Sequence, residues 1–506
     1  MKRKYNEKKV SIKKIYENYK KKYNKDKRNF FKLFFIFFCI YIISLISLIR
    51  ADINYDDDLG RVVVGYREFG FGRYVSDFLS IFLHNSKYLS DISPFTTIIS
   101  VSIMSISSIM IIKILTEKEL KEFKWYDIAA ALPIGMNPYF LQCYSFKFDS
   151  PYMALSVLFS IIPFLFYKKD KNNKNKEYII ISIIFTFLMC ASYQASSGIY
   201  PMIVISMALI MFNNMEDKNE ILKFIIKSCI SYGVGLILFK LTLIGGKTYY
   251  LDSGLLSIKD IIPKSFVHYK TYYSYVLNDF KLNWLICIFI LILSFVVTII
   301  TNSKQKKLIA FTSSIVSLIL YGLVMFGAYP YIKNPIFGPR ALYGFCIFIG
   351  IIAIISVNGE KSFVSKLMII FISYSFFITS LIYGNLANIQ EKYSDFRTEV
   401  LLNDLNEFQP NNEILKIDLS GTIGQPLAVQ RVTKEIPILN RLLPVSLGDN
   451  SVRFNVYKIA TFYNVPNIEF NIDKKNDVSR KEMKLVKRTR YHDIYQKDKY
   501  ILIILK

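Results

Sequence analysis

Residues 30–49 read FFKLFFIFFCIYIISLISLI, with one charge, Lys32, near the start. A run of that length and composition is what a helix needs to cross the hydrocarbon core of a bilayer, at 1.5 Å of rise per residue. Residues 1–32 carry fourteen Lys and Arg against three Asp and Glu, which puts the leading end of the run in the cytoplasm. The run then delivers to the outer face the stretch Asn54–Arg73, NYDDDLGRVVVGYREFGFGR, where three consecutive carboxylates (Asp56, Asp57, Asp58) are followed by Arg61, Arg67, Glu68 and Arg73. Carboxylates at a membrane edge can accept a proton from a hydroxyl or hold a divalent cation, and guanidinium groups bind phosphate through two parallel hydrogen bonds. The plainer alternative is a solvated loop that ends a span.

Further apolar runs follow at the same length scale. The reading is eleven spans: about Phe30–Ile49, Phe95–Leu115, Tyr126–Tyr144, Pro151–Tyr167, Tyr178–Tyr193, Tyr200–Phe212, Leu222–Ile244, Leu282–Ile300, Leu308–Ala328, Ala341–Val357 and Leu367–Asn385. Pro133, Gly135 and Pro138 predict a break in the third. Val75, Phe78, Leu79, Phe82 and Leu83 recur at helical spacing and predict an interfacial helix over Tyr74–Tyr88. An odd number of crossings from a cytoplasmic start leaves the C-terminus outside. The lysine-rich loops at 168–177 and 302–307 then both fall inside.

Composition agrees with this division. The chain of 506 residues is 52% hydrophobic and 20% charged, which is compatible only with charge segregated from apolar runs. The net charge of +25 lies in basic patches between those runs, as a footing on anionic lipid and not as a nucleic-acid surface. The six cysteines sit in or beside apolar segments without a CxxC pair, and the three histidines (His84, His268, His492) are scattered. No disulfide, zinc site or Ser-His-Asp triad is expected.

The fold class is thus an all-α polytopic membrane protein with a small C-terminal α+β domain outside the membrane. A basic cytoplasmic segment (1–29) precedes the transmembrane domain (30–386), whose outer loop is 50–77. The C-terminal domain (387–506) contains strand-like segments EILKIDLSG, FNVYKIATF and KYILIILK. On this topology one membrane face collects Asp56–Asp58 with Arg61 and Arg73, then Lys147 and Asp149, the turn with Tyr193 and Gln194, the segment Asp252–Asp279, and Arg340. Asp149, before Ser150-Pro151, reads equally well as a helix cap and as a site residue.

The stretches DDLGR (57–61), GFGR (70–73), NPYFLQCYSFKFDSPYMAL (137–155), SYQASSG (192–198) and GPRAL (338–342) resemble the Gtr type II bacterial membrane glucosyltransferases, which modify O-antigen. The resemblance runs from the first span into the C-terminal domain. It implies a GT-C type enzyme that transfers a sugar, glucose or another hexose, from a polyprenyl-phosphate donor to a cell-surface glycan at the outer face of the cytoplasmic membrane. Phe71 stands where the family pattern would have tryptophan. By the same resemblance Asp57 or Asp58 is the general base, Asp149 orients acceptor or base, and Arg61, Arg73 and Arg340 hold the donor phosphate. Lys147, Tyr193 and Gln194 are candidate substrate contacts. Implied partners are the lipid-linked donor, the glycan acceptor, membrane lipids, a donor synthase and a flippase, with no nucleic acid; a Mg or Mn ion at the acid cluster is left open. The rival readings are a transporter or flippase of lipid-linked sugars and a glycan polymerase or ligase.

Overall fold

The computed structural model describes residues 25–65, 72–169, 175–243, 254–359, 362–408, 414–448, 456–459, 463, 468–470 and 480–506. The basic lead through residue 24, Arg67, Glu68, Gly70, Phe71 and Asp252 lie outside them.

The chain is mostly helical. Residues 25–44 form α1, followed by α2 (Ile46–Ala51), α3 (Asp57–Val64), α4 (Tyr74–His84), α5 (Phe95–Thr116), α6 (Trp125–Gly135), α7 (Leu141–Ser145) and α8 (Ser150–Ile161). Then come α9 (Lys176–Ser192), α10 (Ile199–Asn213), α11 (Lys218–Thr242), α12 (Ile261–Asp279), α13 (Leu282–Asn302), α14 (Lys307–Val324), α15 (Tyr343–Val357) and α16 (Phe363–Asn406). Among the described residues six helices are long and apolar enough to cross a membrane, and Ser150–Phe166 and Tyr343–Val357 are shorter apolar helices. The shortness has visible causes. Pro163 lies where α8 tightens into a 3-10 turn, and the expected third span is divided into α6 and α7 around Met136–Phe140, just beyond Pro133. A helix forms where the interfacial one is expected: it is α4, which ends at His84, short of Tyr88.

Many serines inside the apolar helices are satisfied locally. On α5, Ser100, Ser105, Ser107 and Ser108 each donate to the carbonyl four residues back. Such bonds let serine lie in an apolar medium, and its small size lets neighbours approach. Ser100 meets Ser150 of α8 at 2.9 Å, and Ser108 meets Tyr41 of α1 at 2.8 Å. Helix α15 is apolar on all sides and buried along its whole length, so it is the axis of the bundle.

Helix α16 leaves the bundle without a break and supplies Leu401, Leu402 and Leu405 to a second core. That core is completed by a five-stranded sheet in the order β2-β1-β5-β4-β3, built from β1 (Leu415–Ser420), β2 (Ile468–Phe470), β3 (Lys484–Arg488), β4 (His492–Lys497) and β5 (Tyr500–Leu505). β1 runs parallel to β2 and β5, and the β5-β4-β3 part is antiparallel. Alternate residues Ile501, Ile503 and Leu505 face inward, the period of two that the apolar strand signal implied. Of the segment FNVYKIATF, where a strand is expected, the described residues 456–459 are helical, and Tyr457 and Lys458 are turned toward α3 and α16. Two further helices, α17 (Leu427–Glu435) and α18 (Ile438–Leu442), depart from the sheet and bury Ile438, Leu439 and Leu442 in the core of the membrane bundle.

Candidate functional site

The first turn of α3 carries Asp57 and Asp58, a favourable place for carboxylates beside the positive end of the helix dipole. Consecutive helical positions point about 100° apart, so the two face different surroundings. The Asp58 side chain is fully buried, whereas that of Asp57 is 47% exposed. Asp58 Oδ2 accepts a hydrogen bond from the backbone N–H of Lys147 at 2.8 Å, and its Oδ1 lies 3.6 Å from Arg61, one turn along α3. Gly60 sits against the Tyr457 ring, where an added Cβ would come within 2.9 Å.

Arg61 reaches a second carboxylate, Asp149, at 2.5 Å. Asp149 occupies the N-cap position of α8, but its side chain makes no cap hydrogen bond. The cap reading therefore does not describe it. One guanidinium thus serves two buried carboxylates, and Arg61 stays charged because Asp149, Asp58 and Asp57 more than offset the burial that works against it. Burial pushes the Asp58 carboxyl up to about 8, with Asp149 and Asp57 adding to the rise and Arg61 and the Lys147 N–H opposing it. Burial and the neighbouring Asp57 likewise raise Asp56 to about 6. The physical sense is that Asp149 takes the Arg61 charge and Asp58 keeps its proton near neutrality.

Arg340 comes from the 3-10 turn Pro339–Ala341 and stands 3.7 Å from Asp57, with its guanidinium over the Phe146 ring. Arg73, at the N-cap of α4, lies over the Tyr193 ring at 4.8 Å. Arg73 and Arg340 are close enough for each to disfavour the other's charge, and both act on Tyr193. Two guanidinium groups within electrostatic reach of each other, each over an aromatic ring, can offer a place for an anion. Gln194 opens the following 3-10 turn, Gln194–Gly198. The structure therefore brings Asp57, Arg340, Arg73 and Tyr193 to one place and Asp58, Arg61 and Asp149 to an adjoining one. The Lys147 ammonium is engaged by the Asp52 carboxylate at 2.8 Å and by Asp91 at 2.9 Å, and so braces the two ends of the loop. Asp279, at the end of α12, pairs with Arg441 of α18 and accepts from Tyr139 at 3.0 Å.

Among the described residues no three His, Cys, Asp or Glu side chains converge as a cation site requires. The charge that a cation would bring to the acid cluster is supplied there by Arg61.

Three polar groups at the site are not among the residues singled out from the sequence: Tyr55, Gln142 and Arg441. Gln142 could be singled out only as a lone amide in the apolar stretch NPYFLQCYSF, a placement that needs a partner.

The long apolar helices mark a membrane protein, and its bundle gathers carboxylates and guanidinium groups at one end. A family model described as glucosyl transferase GtrII matches residues 45–351, and the chain belongs to that family. A protein of Salmonella phage P22, described as an uncharacterized 55.3 kDa protein in the gtrB 5′ region, is 28% identical over 183 residues. That alignment covers 36% of this chain and 35% of the phage protein, about a third of each. No solved structure matches the chain.

Proposed function

We propose that the protein transfers a hexosyl residue, with glucose the sugar its family name indicates, from a polyprenyl-phosphate donor to a surface glycan at the outer face of the cytoplasmic membrane. The observation that carries this reading is the placement of half-exposed Asp57 at 3.7 Å from Arg340, with Arg73 alongside. Asp57 takes the proton of the acceptor hydroxyl as the oxygen bonds to the sugar C1. The bond from C1 to the phosphate oxygen breaks, and polyprenyl phosphate departs with the electron pair, its new charge met by Arg340 and Arg73. Asp57 then returns its proton to solvent. Arg61 acts at one remove, because Asp149 and Asp58 already occupy it. Tyr193, under the Arg73 guanidinium, is suited to the donor sugar or its phosphate.

A lipid-linked donor also needs apolar room. Helices α11 and α14 both pack on α10 and leave between them a groove of about 730 Å³, lined along the height of the bundle by residues such as Phe212, Ile225, Val316 and Leu320. Its upper end, at Tyr200, Tyr232 and Val324, is roofed by the turn that begins just after Tyr193; Tyr232 donates to the Ser197 carbonyl at 2.6 Å. A donor synthase and a flippase would supply the substrate on this face.

The test is transfer from polyprenyl-phosphate [14C]glucose to a glycan acceptor by the purified full chain in lipid nanodiscs. The expected result is label in the glycan and free polyprenyl phosphate. Movement of labelled lipid between leaflets of a proteoliposome with no labelled glycan would establish the transporter reading instead, and labelling of glycan from a nucleotide sugar alone would overturn the lipid donor.

A further inference from the structure

We infer that Gln142 is the positioning residue of the transfer site, and that α18 brings the C-terminal part of the chain into that site through it; the inference rests on the transfer reading above. Gln142 lies on α7, buried between two segments that carry the proposed machinery. Its Oε1 accepts the backbone N–H of Arg340 at 2.8 Å, and its Nε2 donates to the Tyr55 hydroxyl at 3.1 Å. The orientation of the amide follows from its partners. A backbone N–H can only donate, and the Tyr55 hydroxyl, which gives its own proton to the Leu442 carbonyl at 2.9 Å, receives the other bond through a lone pair.

Each segment held in this way carries a site residue. The Tyr55 carbonyl accepts the Asp58 N–H at 2.9 Å, so Tyr55 is the footing of the α3 turn that presents Asp57. Arg340 is itself the second segment. The 3.7 Å between Asp57 and the Arg340 guanidinium is therefore spanned from behind by one amide.

The remaining links come from α18. Leu442 receives the Tyr55 hydroxyl, while its neighbour Arg441 donates to the carbonyl of Phe337, three residues before Arg340, and pairs with Asp279. Tyr55, Gln142, Arg340, Phe337, Arg441 and Leu442 thus close a ring of polar contacts beneath the site. Buried polar groups that satisfy one another fix a geometry that apolar packing would leave adjustable. A shift of about 1 Å in a reacting group can cost on the order of 10²-fold in rate. The ring is placed to prevent that shift, because loosening either arm moves base and phosphate clamp relative to each other.

The test uses three variants of the full-length protein. Gln142→Met keeps volume and removes both bonds, Gln142→Glu, assayed at a pH where it is ionised, keeps an acceptor for the Arg340 N–H but does not donate to Tyr55, and Tyr55→Phe removes only the hydroxyl. In Gln142→Met, kcat should fall about 10²-fold and the donor KM should rise. Gln142→Glu should restore the KM while leaving kcat low, and Tyr55→Phe should lower kcat alone. The double variant Tyr55→Phe/Gln142→Met should have the kcat of Gln142→Met, because the two residues act as one unit. Losses that multiply in the double variant, or surviving protein with wild-type kcat and KM, would overturn the inference. Amide hydrogen exchange gives a readout that needs no activity: exchange in 55–61 and in 337–342 should quicken together in Gln142→Met. Unchanged exchange there sinks the ring even if transfer is confirmed, whereas faster exchange in a protein that transfers no sugar would uphold the ring and refute the transfer reading.

Discussion

Asp57 and Asp58 are adjacent in the chain and opposite in environment. Asp58 is sealed against Arg61 and the Lys147 amide, while Asp57 opens to solvent 3.7 Å from Arg340. Paired carboxylates of similar type can take different roles when their environments separate their proton affinities. On the proposed reaction the accessible one meets a hydroxyl of the acceptor, and the buried one, bonded to the Lys147 N–H, holds the loop.

Asp57→Asn should fold, bind donor and lose transfer by about 10²–10⁴-fold, the usual contribution of a placed general base. Asp58→Asn keeps the hydrogen bond from Lys147 and should lose less than tenfold. The two rates, measured with purified lipid donor, decide between the residues: a large loss in Asp58→Asn with a near wild-type Asp57→Asn would reverse the assignment.

The raised Asp58 gives a signed dependence of stability on pH. The unfolded carboxyl ionises near its ordinary value of 3.8 and the folded one near 8, so between these values the folded state binds more protons. Its stabilising contribution is complete below about pH 3.8 and is lost as pH rises through 8. Thermal midpoints of the wild type should therefore decline from pH 5 to pH 8 more steeply than those of Asp58→Asn, which cannot ionise there. Parallel curves would remove the buried proton from the account.

Arginine substitutions should divide into two kinds. Arg61→Ala strips the shared cation from buried Asp149 and Asp58, a loss of about 3–5 kcal/mol when one partner of a buried pair is deleted. Arg73→Lys and Arg340→Lys keep the charge but lose the planar fork, so the donor KM should rise while the thermal midpoint stays within a few degrees. A wild-type donor KM in both would move the phosphate elsewhere.

Gly384 of α16 lies directly on the backbone of Ser47 and Leu48 in α2, and the Ser47 hydroxyl donates to the Leu381 carbonyl at 2.7 Å. A methyl at Gly384 would fall on the Leu48 nitrogen, which cannot yield as a side chain can. Gly384→Ala should cost at least ~1–3 kcal/mol, read as a lower midpoint or lost folded yield, because α2 leads into the acidic loop. An unaltered midpoint would show that the two helices can separate freely.

The orientation is tested with Tyr88→Cys and Lys306→Cys, both exposed and at opposite ends of the bundle. In intact cells a membrane-impermeant thiol reagent should label the first and not the second. The reverse pattern would turn the acid loop toward the cytoplasm and end the case for an outward-facing donor.

Much of this was legible in the sequence because apolar length and charge segregation are local properties. The break near Pro133, the helix α4 and the strands β1 and β5 each show as a period or an interruption in a short window, whereas the 3-10 turn at Pro163 lies in what reads as a continuous span. The pairing within the site is not of that kind. The stretch around Asp149 is nearly ninety residues from Arg61, and nothing in the acidic loop itself says that Arg61 turns inward while Asp57 turns out. FNVYKIATF alternates as a strand does, but at Tyr457 and Lys458 the pull of Gly60 and of Glu391 and Asp395 on α16 is tertiary, and the segment is helical there. The inward course of α18 was equally hidden, since Ile438, Leu439 and Leu442 look like the core of a small soluble domain and belong to the bundle instead.

Helix α16 spans 44 residues without interruption, about 66 Å at 1.5 Å per residue, and joins the bundle to the sheet as one shaft. A shaft fixes azimuth as well as height. Each residue added to it turns everything beyond by about 100°, so the length between Gly384, seated on α2, and Arg397, which grips the carbonyls of Tyr491 and Lys506, sets the bearing of the sheet on the bundle. In this stretch of the chain, single-residue insertions and deletions act as rotations, and evolution can lengthen the shaft only in steps that nearly complete a whole number of turns.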